Sequence, residues 1–235
     1  MPPTNLLRGK RPLGTIAYIA TASVPEPFLW SFSQLVAGCA EYVSPPGYYV
    51  HVDHGVGSAQ IMARNELVKK MQGNWLLQID SDHVFDPDLV LRMLTLFESQ
   101  NLPVLMGLYH FKEPPHNPVI YQYAPDGNYK AVLDWGQRDQ VKLMPVGAAG
   151  AGCLMVRRNV FDLIKKEHNA DPFSPCPPFE YDDFNFFERC RLLKIPVYCA
   201  PQIECLHLGT RGFGSEDYDP SLFKPALTLQ CEVRV

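Results

Sequence analysis

Leu76-Leu77-Gln78-Ile79-Asp80-Ser81-Asp82-His83 is the stretch on which the fold turns. An apolar run of strand length, starting at Trp75, ends in two aspartates two positions apart. Side chains at i and i+2 of an extended segment share a face, so both carboxylates are expected to reach one point beyond the strand's C-terminal end. In open α/β sheets that edge is where ligands bind. Two carboxylates at one point repel unless a cation lies between them, and oxygen-seeking Mg²⁺ or Mn²⁺ suits such a place. A D-x-D pair also occurs often by chance. The plainer alternative makes Asp80 a turn residue and Asp82 a cap for the next helix, but the strand–helix units around the pair favour the cation.

Working outward, strand and helix patterns alternate. Residues 14–21 form an apolar run, and Pro25 and Pro27 open a helix with Phe28, Phe32, Leu35, Val36 and Cys39 on one face. Residues 48–52 read as a second strand, and Gly55 and Gly57 precede a helix over about 58–72. Beyond the aspartates, Phe85-Asp86-Pro87-Asp88 caps a helix through Phe97, and residues 103–108 form a fourth strand. This alternation predicts an α/β fold with a mostly parallel sheet and helices on both faces. Residues 109–150, rich in Pro, Tyr, Gly and Asp, break the rhythm and predict a small antiparallel excursion, with strand-like pieces at 118–123, 130–134 and 141–146. A small-residue loop at 147–152, a strand at 153–156, a helix at 159–168, a Pro- and Phe-rich loop at 171–180, a helix at 181–193 and a strand at 197–199 follow. The expected organisation is an N-terminal extension (1–13), one catalytic domain (14–210) and a loop-rich tail (211–235) packed on or covering the site.

Composition narrows the function classes. Of 235 residues, 46% are hydrophobic and 20% charged, which provides for a core and excludes global disorder. A net charge of −4 gives no overall electrostatic footprint for nucleic acid. No apolar run approaches the roughly 18 residues of a membrane span, so no membrane insertion is expected. The start, MPPTNLLRGKRPLG, lacks the apolar centre of a secretion signal. Seven cysteines without a C-x-x-C read as reduced thiols, and the expected location is the cytoplasm, that of an infected host cell included.

Two enzyme classes use an apolar strand ending in D-x-D. Asp80-Ser81-Asp82-His83-Val84 fits the D-x-D-x-[TV] of aspartate-nucleophile phosphatases. Nucleotide-sugar glycosyltransferases place a divalent cation on the same pair. The remaining motifs favour the second class: Ala63-Arg64-Asn65 upstream, Gly150-Ala151-Gly152 before a strand, Asp182-Asp183 with Arg189 six residues on, and His207 in a late loop. This ordered set resembles the GT-A fold glycosyltransferases of the family-2-like kind, of the compact phage and bacterial soluble type, over residues 14–210. A phosphatase would carry its D-x-D on the first strand and a downstream lysine motif. A GT-A relative that holds sugar nucleotide without turnover is a third reading.

The resemblance implies a metal-dependent hexosyltransferase and assigns roles. Asp82, Asp80 and His207 would hold Mn²⁺ or Mg²⁺, with Asp82 ligating directly. Thr21, Ser23, Asp53, Arg64, Asp80 and Ser81 would hold a nucleotide-sugar donor, a UDP-sugar, with Arg64 on the diphosphate. Asp183, supported by Asp182, would take the acceptor proton. Gly150, Gly152, Trp135 and Tyr181 would contact the acceptor or sugar, and Tyr109 and Phe179 are further stacking candidates. The acceptor is left open among a hydroxymethylated DNA base, a surface glycan and a protein side chain. A DNA acceptor would call for a basic face, for which Arg8, Lys10, Arg11, Lys112, Arg138, Arg157, Arg158 and Arg211 are available. Oligomeric state is not legible.

Overall fold

A computed structural model describes residues 9–20, 23–56, 59–133, 143–179, 181–209, 211–219 and 228–229. The alternation expected from the sequence is present. The order is β1 (Arg11–Ala20), α1 (Glu26–Gly38), β2 (Tyr48–Val56), α2 (Gln60–Lys70), β3 (Trp75–Asp80), a two-residue β4 (His83–Val84), α3 (Leu89–Ser99) and β5 (Val104–Leu108). The excursion supplies β6 (Ile120–Tyr123), β7 (Tyr129–Ala131), β8 (Met144–Val146) and β9 (Ala148–Ala149). Then come β10 (Cys153–Arg157), α4 (Arg158–His168), α5 (Asp182–Leu192), β11 (Val197–Glu204), β12 (Leu206–Leu208), β13 (Gly212–Phe213) and β14 (Thr228–Leu229).

Seven strands form the central sheet in the order β2-β1-β3-β10-β5-β11-β8. β2, β1 and β3 run parallel, as do β5 and β11, while β10 and β8 run against their neighbours. Every residue of β5, and all but the last of β3 and β10, is buried. Their uninterrupted apolar runs, rather than alternating ones, are what a strand covered on both faces requires.

Two smaller sheets flank this one. β13-β12-β4 is a three-stranded antiparallel sheet, and β14-β7-β6-β9 carries the excursion. Both change the expected boundaries. β1 begins at Arg11, inside the expected N-terminal extension, and the boundary at 210 falls between β12 and β13, which pair. The late strand expected at 197–199 continues to Glu204.

Candidate active site

β1 has β2 on one side and β3 on the other, so the chain crosses over at β1. The crevice beyond the C-terminal ends of two such strands is the natural ligand position of an open α/β sheet. A cleft of about 710 Å³ lies there. Ile19 and Ser23 line it from the end of β1, Asp80, Ser81 and Asp82 from the end of β3, and Lys112, Gly209 and Arg211 from the loops beyond β5 and β12.

The two aspartates part company. β3 ends at Asp80, and Ser81 and Asp82 form a turn, so strand alternation no longer aligns the side chains. Asp82 enters a cationic cluster. Its Oδ2 lies 2.7 Å from Lys112 Nζ and 3.4 Å from His207 Nε2, and its Oδ1 is 3.2 Å from His83 Nδ1. Burial opposes the Asp82 charge, and His207, His83 and Lys112 overcome that, holding its carboxyl well below the usual carboxylate range. Asp80 is outside this cluster, which corrects its expected place among the metal ligands.

His207 is oriented as a ligand. Its Nδ1 lies 2.8 Å from the His110 carbonyl, which can only accept, so Nδ1 carries the proton. Nε2 is then the ring nitrogen left facing Asp82 Oδ2, at 3.4 Å, where the two atoms would share a divalent cation. A carbonyl behind the imidazole is also the usual support of a metal-bound histidine. Asp82, His83 and His207 each bring one ligand atom within 4.8 Å of the others. The rings of His83 and His207, cross-strand partners, are stacked at 4.6 Å and 8°. Asp82 and His207 would hold a divalent cation, with the buried His83 ring packed against His207. The donor set of carboxylate plus imidazole fits Mn²⁺ better than Mg²⁺.

The second pole is built on Arg64, which is only 2% exposed. Its Nη2 donates to Asp80 Oδ1 at 3.0 Å and its Nε to Asp182 Oδ2 at 2.5 Å. Its Nη1 donates to Gln78 Oε1 at 3.2 Å and to the Ala151 carbonyl at 3.1 Å. Asp183 has no such partner. Its Oδ1 accepts from the Phe184 amide at 2.8 Å. Burial first, then the Asp182 charge, push its carboxyl up to about 7, with Arg64 pulling the other way. A half-buried carboxyl poised there is suited to accept a proton near neutrality. Asp183 is joined to the cleft through Asp182, Arg64 and Asp80, and is not itself in the cleft wall.

The sequence profile of glycosyl transferase family 2 matches residues 34–164, more than half of the chain. The chain belongs to glycosyl transferase family 2. Among solved structures, this family 2 transferase is similar to A197 from STIV, at 16% identity and a TM-score of 0.51, over 83% of this chain and 85% of that one. It is also similar to GalNAc-T7, crystallised with UDP, GalNAc and Mn²⁺, at 9% identity and a TM-score of 0.57. There the match covers 83% of this chain but 43% of the other, so this chain spans less than half of that length. At these identities the likeness is one of fold, and the fold is GT-A. No curated protein matches the chain. The family sets aside the phosphatase reading of Asp80-Ser81-Asp82-His83-Val84, which here stands on the third strand.

Other expected site residues of this transferase fall in varied places. Ser23 and Ser81 line the cleft, whereas Asp53 does not; it lies 3.8 Å from His51 and accepts from the His54 amide. Thr21 and Trp135 lie outside the described residues. Tyr181 is exposed beside α5. Arg64 is a correction: its nitrogens are all engaged by protein groups, so it braces the two acidic segments instead of offering a free fork to a diphosphate.

Gly150 and Gly152 are buried, and packing accounts for them. A Cβ on Gly150 would lie 1.6 Å from Tyr109 Oη, and one on Gly152 2.7 Å from His83 Cε1. Tyr109, buried and receiving the Gly152 amide at 3.2 Å, is thereby unavailable as a sugar platform. Asn65 and Arg189 serve the neighbouring loop. Asn65 accepts from the distant Phe173 amide, and Arg189 donates to the carbonyls of Ser174 and Pro175, so together they pin the loop over 171–179. Of the candidate basic face, Arg157 donates to the carbonyls of Phe97 and Leu102, and Arg158 to those of Met71 and Gly73, capping α3 and α2. Arg8 and Arg138 lie outside the described residues.

The sequence reading missed His83 and the site role of Lys112. Lys112 follows β5 by four residues, hence at the same sheet edge as Asp82, and that position was the available signal. Among the described residues, no helix is long and apolar enough to cross a membrane.

Proposed function

We propose that the chain transfers a sugar from a nucleotide-diphosphate donor, UDP-linked, to an acceptor hydroxyl, with Mn²⁺ or Mg²⁺ bound. The observation that carries this reading is His207 Nε2 facing Asp82 Oδ2, with Nδ1 fixed on the His110 carbonyl, beside the cleft at the switch point of the sheet. A bound divalent cation supplies electrostatic stabilisation of the leaving diphosphate. The fold-level likeness to a transferase crystallised with UDP and Mn²⁺ supports the same class of donor.

The chain's own residues do the rest. Asp82 and His207 hold the cation, with His83 and Tyr109 packed behind them. Asp183, its proton affinity raised by burial and by the Asp182 charge, takes the proton of the acceptor hydroxyl, and Arg64 holds Asp80 and Asp182 together beside it. Ser23 and Ser81 lie in the cleft wall where the donor would sit.

A panel of nucleotide sugars screened by thermal shift with and without Mn²⁺ tests the donor, followed by hydrolysis and transfer assays with the best binder. The expected result is Mn²⁺-dependent stabilisation by a UDP-sugar, lost in Asp82→Ala. Stabilisation by no nucleotide sugar would sink the donor class, and binding without any turnover would favour a non-catalytic relative.

A further inference from the structure

Lys112 is the one group in the Asp82 cluster with neither a place in the family pattern nor a packing reason. It projects from the loop following β5, which is closed by the Phe111 amide on the Asn117 carbonyl at 2.9 Å and by the bridge between His110 and Pro118. That closure fixes the Lys112 backbone, while four methylenes leave the ammonium free to move. Its Nζ lies 2.7 Å from Asp82 Oδ2, the same oxygen that faces His207 Nε2. Both Lys112 and Asp82 are about one-third exposed and both line the cleft. Arg211, the other cation in the lining, is held by Asp217 and stacked over Phe213.

We propose that Lys112 is the resident counter-ion of Asp82, which a divalent cation must displace, and that the released ammonium then binds the phosphates of the nucleotide. The proposal rests on the reading of Asp82 and His207 as a cation site. A cation entering beside Asp82 Oδ2 meets a positive charge already there, so binding of the metal alone is weakened. A nucleotide diphosphate removes that penalty by giving the ammonium another anion. Lys112 thus makes metal and nucleotide binding mutually dependent, and the dependence is reciprocal.

The test measures Mn²⁺ affinity by calorimetry and electron paramagnetic resonance, with and without UDP, in wild type, Lys112→Met and Lys112→Arg. Met keeps the apolar stem without the charge, and Arg keeps the charge. In wild type, UDP is expected to tighten Mn²⁺ binding at least about tenfold. Lys112→Met should bind Mn²⁺ alone about three- to tenfold more tightly, the scale of a half-exposed ion pair. It should also lose most of the UDP enhancement, while Lys112→Arg retains it. Unchanged or weaker Mn²⁺ binding by Lys112→Met without UDP overturns the counter-ion role. Undiminished UDP enhancement in that variant overturns the hand-over to phosphate. Wild type binding UDP but no Mn²⁺, with UDP binding lost in Lys112→Met, would make Lys112 the permanent cation and overturn the displacement. Wild type binding neither Mn²⁺ nor UDP would overturn the metal-site reading itself, and this proposal with it.

Discussion

Asp82 and Asp183 are the same side chain placed in opposite surroundings. Asp82 sits among an ammonium and two imidazoles, and its carboxyl is held far below the usual range. Asp183 sits half-buried beside Asp182, while Arg64 is engaged by Asp80 and Asp182, and its carboxyl rises to about 7. A carboxylate that stays charged at all working pH values is a ligand, and one that exchanges a proton near neutrality is an acid or base. The Arg64 brace tempers the difference, its single positive charge shared between Asp80 and Asp182 and pulling the Asp183 carboxyl down against burial.

The strongest break in this comparison is chemical. Asp183→Asn should leave UDP-sugar binding near wild type and cut turnover at saturating acceptor by about a hundredfold or more, the scale for losing a general base. In wild type, turnover should rise with pH through a midpoint near 7, as Asp183 loses its proton, and the variant should lose that limb. Wild-type turnover with wild-type acceptor affinity would reduce Asp183 to a helix cap. If the acceptor KM rises while kcat holds, its role is acceptor binding.

Next in size is the brace itself. Arg64→Met leaves Asp80 and Asp182 without their shared cation in a largely buried place, a loss of about 3 kcal/mol or more by analogy with broken buried ion pairs. Urea unfolding at neutral pH measures it. A loss below about 1 kcal/mol would mean that the acidic groups find water or one another's protons easily.

How much of this was readable from residues alone follows from what each residue depends on. β3, β5 and β10 were legible because burial on both faces demands continuous apolar runs, which are local. The ordered motifs were legible too, and gave the family. Arg64, Gly150 and Gly152 were assigned to ligands, whereas their contacts in the fold are internal, because a motif records that a residue type is needed and not which neighbour needs it. The neighbours are Asp182, more than a hundred positions from Arg64, and Tyr109, about forty from either glycine. The convergence of Asp80 and Asp82 failed because the strand stops at Asp80, and strand alternation holds only inside a strand. The two-residue β4 is fixed by its partner β12, and nothing in His83-Val84 announces it.

The third prediction concerns the first pole. His207→Ala should weaken Mn²⁺ binding, read in the presence of UDP, by about ten- to a hundredfold while the fold persists, since His207 is partly exposed on a short strand. His83→Ala should weaken it less, because its ring supports His207 from a parallel plane. Equal losses in the two variants would show that both imidazoles ligate one ion and that the rings separate to do so.

The smallest predicted effect is the one that separates the two aspartates most cleanly, because it needs no ligand. A carboxyl in the unfolded chain titrates near pH 4. Asp183 keeps its proton to about 7 in the folded chain, so between those values the native state binds the extra proton. The stability this provides is complete below about pH 4 and is lost as pH rises through 7. Asparagine cannot ionise, and its Oδ1 can still accept from the Phe184 amide. Asp183→Asn should therefore raise Tm at pH 8 by about 2–4 °C, the shift for roughly 1 kcal/mol in a chain of this length, a figure kept low because the group is only half-buried. At pH 4.5 the gain should nearly vanish. Asp82→Asn should do the reverse. Its depressed carboxyl contributes stability that is present above about pH 4 and lost as pH falls, so the substitution should lower Tm at pH 8 and matter less in acid. Melting curves of both variants at the two pH values decide the matter. If the two substitutions shift Tm in the same direction at pH 8, the surroundings of the two carboxylates are not opposed, and the division of labour between ligand and base goes with them.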